Sequence, residues 1–126
     1  MVDKSGIGRR GEFFASYVLE TYGIEVHHVD RAGADLWCKA DNKLFTVQVK
    51  AATVPTRSNT HTQTGYYAYL TRNPNADYFC FVALDIHRLL LRPASNVIRS
   101  TVRISPEEFT EANQAQSITD AIDDQK

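Results

Sequence analysis

Cysteine is scarce: the 126 residues hold two, Cys38 and Cys80, each within an apolar run and neither with a second Cys or a His at zinc-finger spacing. A disulfide framework or a structural zinc site is therefore disfavoured, and both are read as buried, reduced thiols. Long hydrophobic runs are absent as well. Arg9, Arg10 and Glu12 interrupt the only helical stretch among the first 25 residues. Neither a signal peptide nor a membrane span fits, so the chain is expected to be soluble, intracellular and cytoplasmic, with no membrane partner. There is no internal repeat and no low-complexity tract. A dominant charge is also missing, the net value being −1, but the balance is uneven: 13 of the 14 basic residues and only 9 of the 15 acids precede Ser105. A mildly basic body suits a polyanionic partner whose counterions Lys and Arg release, and a solvated charged surface accounts for it equally well.

What is present is enough apolar residue, 43%, to bury one core. The reading is a single domain over residues 1–113 and an acidic, frayed tail over 114–126. Ile7, Phe14, Ala15, Val18, Leu19 and Tyr22 recur at helical spacing before Gly23, which predicts an amphipathic first helix. GIEVHHVD, ADLWCKAD and KLFTVQVKAA then read as three strands, the last two joined at Asp41-Asn42. Residues 53–64 are polar and aperiodic, a surface loop; Tyr66–Leu70 reads as strand or helix. DYFCFVALDI has the continuous apolar pattern of a strand covered on both faces, with Arg88–Leu91 beside it. Ser105-Pro106-Glu107-Glu108 predicts a short helix from its cap and proline.

A symmetric turn at Asp41-Asn42 sets Asp35 opposite Gln48. Alternation then collects Asp35, Trp37, Thr46, Gln48 and Lys50 on one face and Leu36, Cys38, Phe45, Val47, Val49 and Ala51 on the other. Directly opposed Cβ atoms lie about 4.5–5.5 Å apart and diagonal ones roughly 7–8 Å, so an acid, an amide and a lysine converge. That set suits metal-assisted phosphate hydrolysis: Asp35 supplies an anionic oxygen, Gln48 and the Val49 carbonyl neutral ones, and Lys50 holds the attacking water or neutralises developing charge. Glu12 falls at the border of the helix's apolar stripe, facing the sheet edge. Gly6, Gly8 and Gly11 give the helix room to approach the sheet closely, and Arg9 and Arg10 project to solvent.

Ala34-Asp35 followed by Gln48-Val49-Lys50 resembles the signature of the PD-(D/E)xK nuclease superfamily, an acid at a strand start and a (D/E)xK tripeptide on the next strand. Gly8-Arg9-Arg10-Gly11-Glu12 looks like the first-helix GxxGE of the branch that holds archaeal Holliday-junction resolvases and a group I intron-encoded homing endonuclease. In that homing branch Gln stands in the tripeptide, often as VQVK like Val47–Lys50. The resemblance covers roughly residues 5–93. It implies an α/β, restriction-endonuclease-like core, a central mixed β-sheet with the N-terminal helix packed on one face. It also implies a Mg²⁺-dependent endodeoxyribonuclease of junction-resolving, repair or homing type, with Mn²⁺ as a substitute metal, DNA as partner and a homodimer or higher homo-oligomer. Two departures stand out, Ala34 for the proline and Gln48 for the acid; the second removes an anionic ligand and shifts weight onto Asp35 and Glu12.

The catalytic candidates are Glu12, Asp35, Gln48 and Lys50. The metal-ligand candidates are Asp35, Glu12, Gln48 and Val49. Candidate DNA contacts are Arg9 and Arg10 on the helix and Arg57, Asn59, His61 and Gln63 in the polar loop. His27 and His28, being adjacent on a strand, face opposite ways and do not share one site. Tyr66, Tyr67 and Tyr69 read as packing residues before base-stacking ones; Trp37 either walls the cleft or lies under the first helix. The rival function is a catalytically silent nuclease-fold module that binds DNA or a protein partner.

Overall fold

A computed structural model describes residues 6–31, 34–56, 65–72 and 75–126. Helix α1 (Gly6–Thr21) turns Ala15, Val18 and Leu19 inward and stops at Gly23, whose φ of +86° is the left-handed conformation that glycine adopts without a Cβ penalty. Of the glycines expected to admit close packing, one matters. A Cβ on Gly11 would stand 2.6 Å from Cβ of Ala51, whereas Gly6 and Gly8 have nothing within 4 Å. Helix propensity favours Ala over Gly by about 1 kcal/mol, so Gly8→Ala is expected to raise the melting temperature. Gly11→Ala is expected to lower it, because overpacking costs roughly 1–3 kcal/mol; paired thermal melts check the opposite signs.

Among the described residues seven strands follow: β1 (Glu25–Arg31), β2 (Ala34–Ala40), β3 (Lys43–Ala52), β4 (Tyr67–Leu70), β5 (Tyr78–Ala83), β6 (Arg88–Pro93) and β7 (Thr101–Ile104). Five of them form the main sheet in the order β1-β2-β3-β5-β6, antiparallel throughout except for the parallel β3–β5 pair. Asp41 and Asn42 have φ of 52° and 66°, the pair of positive values that a two-residue type I′ hairpin requires. The turn sets the expected register: Leu36 pairs with Val47, Trp37 with Thr46 and Cys38 with Phe45. Entry into β5 is clipped to β3 by Asp77, whose carboxylate accepts from Thr46 N at 2.9 Å and whose N–H reaches Thr46 O at 3.1 Å.

The two faces of this sheet bury separate cores. On one, Leu36, Cys38, Phe45, Val47, Cys80, Val82, Leu89 and Leu91 pack against Ala15, Val18 and Leu19 of α1. On the other, Phe79, Phe81 and Leu90 pack beneath Tyr67 and Tyr69 of β4, Ile104 of β7 and Phe109. Strands β4 and β7 pair antiparallel as a ribbon laid over this second face. The segment that reads as strand or helix is thus a strand, and its partner β7, only four residues long, carries too weak an alternation to stand out in the sequence. All six residues of β5 are buried, as its unbroken apolar pattern requires. Cys38 and Cys80 are free and wholly buried. Burial pushes the Cys38 thiol up to about 12 and raises that of Cys80, so both are inert at neutral pH.

The frayed tail expected over 114–126 is corrected. Helix α2 (Glu111–Asp124) starts at Thr110, whose hydroxyl accepts from Asn113 N at 3.0 Å. Gln114, Ile118, Ala121 and Gln125, spaced by four, three and four, face the core, while Glu111, Asp120 and Asp123 face water. The helix also closes the open edge of β6: Leu89 N donates to Gln114 Oε1 at 2.9 Å and Leu91 N to Ser117 Oγ at 3.1 Å. Unpaired edge donors would otherwise invite pairing with another chain. The helix expected from Ser105 is a 3₁₀ turn, Pro106–Glu108, with Ser105 Oγ accepting from Glu107 N at 3.3 Å. Among the described residues no helix is long and apolar enough to cross a membrane.

Candidate active site

Strands β2 and β3 pair from the turn as far as Leu36 and Val47. Beyond that pair Asp35 takes over the role of a strand: its Oδ2 accepts from Val49 N at 2.8 Å. A residue on a strand turns its N–H and C=O to the same side, so the Val49 carbonyl also points toward the Asp35 end of β2. Gln48 and Lys50 are the parallel partners of Phe79 and Phe81, which places both side chains on the ribbon-bearing face. Asp35 is tied to Val49, and Gln48 and Lys50 share one face of β3; the backbone pairing of β2 with β3 ends at Leu36 and Val47, one residue short of Asp35 and Gln48.

Gln48 carries an anomaly. Its Oε1 is buried and has no hydrogen-bond partner among the described residues. Buried polar atoms are satisfied in the great majority of cases, and leaving one unmet costs about 1–3 kcal/mol. An acceptor held in that state, on the residue next to the Val49 N–H that binds Asp35, is suited to a cation or to a water held by one. Lys50 is half-buried and makes no ion pair among the described residues. Trp37 is 37% exposed on the same face as Gln48, whereas α1 covers the opposite one, so Trp37 borders the open part of this face and is not buried under the helix.

Glu12 arrives from the other side. A Cβ on Gly11 would meet Ala51 and Val49, so α1 packs closely on β3 at the residue before Glu12. Its carboxylate lies 4.0 Å from Nδ1 of His28, while Nε2 of that ring shares a 2.9 Å hydrogen bond with Ser16 Oγ. His28 pairs with Leu36, so this helix-side cluster sits one strand position from Asp35. His27 instead reaches Glu25 at 2.6 Å, confirming that the two histidines serve different faces; that contact holds the exposed Glu25 carboxyl below its usual range. The placement of His28 and Ser16 around Glu12 had no signal in the sequence beyond helical and strand spacing. Among the described residues no group of three His, Cys, Asp or Glu side chains is arranged to hold a metal ion.

Arg9 and Arg10 are exposed on α1, on the side of the sheet away from Gln48 and Lys50, and Arg10 Nε donates to Gly6 O at 3.2 Å. Arg57, Asn59, His61 and Gln63 lie outside the described residues. Tyr67 and Tyr69 are core residues whose hydroxyls donate to Asp85 at 2.7 Å and to the Val82 carbonyl at 2.9 Å, and burial raises both above the ordinary tyrosine range. Tyr66 lies beneath the Arg103 guanidinium, 5.2 Å from its ring centre.

A mixed five-stranded sheet with its first helix over one face is an endonuclease-like α/β fold. The solved structure of a bacterial homing endonuclease, I-Ssp6803I, is similar to it with a TM-score of 0.74 at 18% identity, over 99% of this chain and 95% of that one. No family model and no curated protein matches the sequence.

Proposed function

We propose that this protein is a metal-dependent endodeoxyribonuclease acting at the Asp35–Gln48–Lys50 face. The observation that carries the reading is the buried Gln48 Oε1, without a partner among the described residues, on the residue next to the Val49 N–H that locks Asp35 to β3. The donors there are all oxygen, which suits Mg²⁺ or Mn²⁺ and argues against zinc. Having few protein ligands is compatible with Mg²⁺, which keeps several of its waters. Asp35, Gln48 and the Val49 carbonyl would hold the ion, with Glu12 entering from the helix side. When bound, the ion supplies Lewis-acid stabilisation of phosphate charge and lowers the pKa of water.

The chain's own groups do the rest. The Val49 N–H holds the Asp35 carboxylate in place, so its position at the strand end costs no reorganisation. Lys50 donates to the attacking water or to the phosphate oxygens and offsets the negative charge that builds as water attacks phosphorus and the bond to the leaving oxygen breaks. The partner is DNA. At this size a long specific site calls for a homodimer or higher assembly whose symmetry matches the DNA.

Mg²⁺ and Mn²⁺ are expected to raise the melting temperature of the parent protein and not of Asp35→Ala, since binding to the native state adds about 1.4 kcal/mol of stability per tenfold excess over Kd. No shift at millimolar metal, together with retained DNA binding, would favour the silent nuclease-fold module instead.

A further inference from the structure

Among the described residues, the outer face of the ribbon that covers the second core is exposed at Ala68, Leu70 and Arg103 and carries no acid. Cross-strand pairing sets Ala68 against Arg103 and Leu70 against Thr101, outward, while Tyr67, Tyr69 and Ile104 point in. Along the β7 edge runs a groove of about 360 Å³ lined by Arg92, Arg99 and Arg103 with no carboxylate among its lining residues. Arg92 is paired to Glu108 at 3.0 Å, but Arg99 and Arg103 have no ion pair among the described residues. At the rim Ile98 is 90% exposed.

That exposure belongs to a built loop. Thr71, 3% exposed, holds it from β4: its N–H donates to Ser100 O at 2.8 Å and its hydroxyl to Arg99 O at 2.5 Å. Val97 N closes the other end on Ala94 O at 3.0 Å. Covering an isoleucine that stands in water at the rim of an arginine groove is favourable, because it removes apolar surface from solvent. The groove is also aligned with the candidate active site. Gln48, Phe79 and Arg92 form one row across β3, β5 and β6, all on the ribbon-bearing face. Two inter-strand steps of 4.7–4.9 Å separate the ends of that row by about 10 Å, close to three base-pair steps of duplex.

Resting on the nuclease reading above, we propose that the outer face of the β4–β7 ribbon and its arginine groove form the docking surface for the DNA backbone, with Ile98 as an apolar wedge. Arg99 and Arg103 neutralise phosphates on the far side of the ribbon from Gln48 and Lys50. Ile98 presses against sugars and base edges between them, as apolar side chains flanked by arginine do in grooves that proteins widen or kink. The strand to be cut then crosses the ribbon, past Leu70 and Thr101, to reach the strand end at Asp35.

The test is duplex binding by the full chain in EDTA, read by fluorescence anisotropy across a salt series. Arg99→Gln with Arg103→Gln is expected to weaken binding and to flatten the slope of log K against log salt by nearly 2, about 0.9 for each lost phosphate contact. Ile98→Ser is expected to weaken binding several-fold with the parental slope, and to reduce the bend read by energy transfer between the duplex ends. Parental slopes and bend in these variants, at parental melting temperature, overturn the proposal. So does a change in sedimenting mass for Ile98→Ser with DNA affinity intact, which would make the patch a contact between copies. If the parent cuts DNA while the variants bind normally, the surface is wrong and the nuclease reading stands. If the parent binds through these residues yet never cuts, the nuclease reading falls and the surface stands.

Discussion

Asp35→Asn is expected to lose cleavage by about 10²–10³-fold, the effect of removing one preorganised group from a charge-stabilising site. Asn keeps a side-chain oxygen able to accept from Val49 N, so the link that joins β2 to β3 at 2.8 Å survives and the fold is kept. What disappears is the anionic oxygen that would hold the metal. Lys50→Ala is expected to cost as much in kcat while leaving DNA affinity and the metal-induced thermal shift near parental, because the ammonium acts on developing charge and does not hold the ion. The two variants are therefore separable: Asp35→Asn loses both cleavage and the metal shift, and Lys50→Ala loses cleavage alone. Gln48→Glu should lower the metal concentration needed, since it puts an anion where the buried Oε1 now has no partner among the described residues.

The second large effect concerns stability. Ile118→Ala is expected to destabilise the protein by about 2–5 kcal/mol, the range for truncating a buried aliphatic side chain, whereas Asp123→Ala on the solvent side should change little. Ile118 is fully buried against the sheet core. For a domain of this size that loss lowers the melting temperature on the order of 10 °C. Gln114→Leu adds an independent check: it removes the acceptor of the buried Leu89 N–H, and an unmet buried donor costs about 1–3 kcal/mol. A frayed segment would show neither effect, so calorimetry on these variants tests whether α2 is part of the domain.

Legibility followed the strength of local signals. The β2–β3 hairpin was readable because two left-handed turn residues leave little freedom in register, and register alone decides which residues share the face of Asp35. The buried β5 was readable because an unbroken apolar run of that length has few other outcomes. Helix α2 was not, since its core stripe is built from Gln114, Ile118, Ala121 and Gln125, and two glutamines and an alanine carry almost no hydrophobic contrast against six nearby acids. Its stability comes from tertiary pairing with the β6 edge, which no window of sequence displays. At the candidate site, residue types and spacing gave Asp35, Gln48 and Lys50. The position of Glu12 beside His28 and Ser16, on the helix side of the sheet, depends on how α1 docks through Gly11. The arginine groove and Ile98 all lie within residues 92–103, but which of those side chains face outward is set by the pairing of β7 with β4 and by the Thr71 contacts that hold the loop.

Phosphodiester cleavage at the Asp35 strand end is measured by incubating purified protein with supercoiled, four-way-junction, nicked and single-stranded DNA in Mg²⁺ and in EDTA. The expected result is cleavage of at least one form in Mg²⁺, none in EDTA, and loss of that cleavage in Asp35→Asn. Equal cutting by the parent and Asp35→Asn, or none by the parent with any form in Mg²⁺ or Mn²⁺, would contradict it.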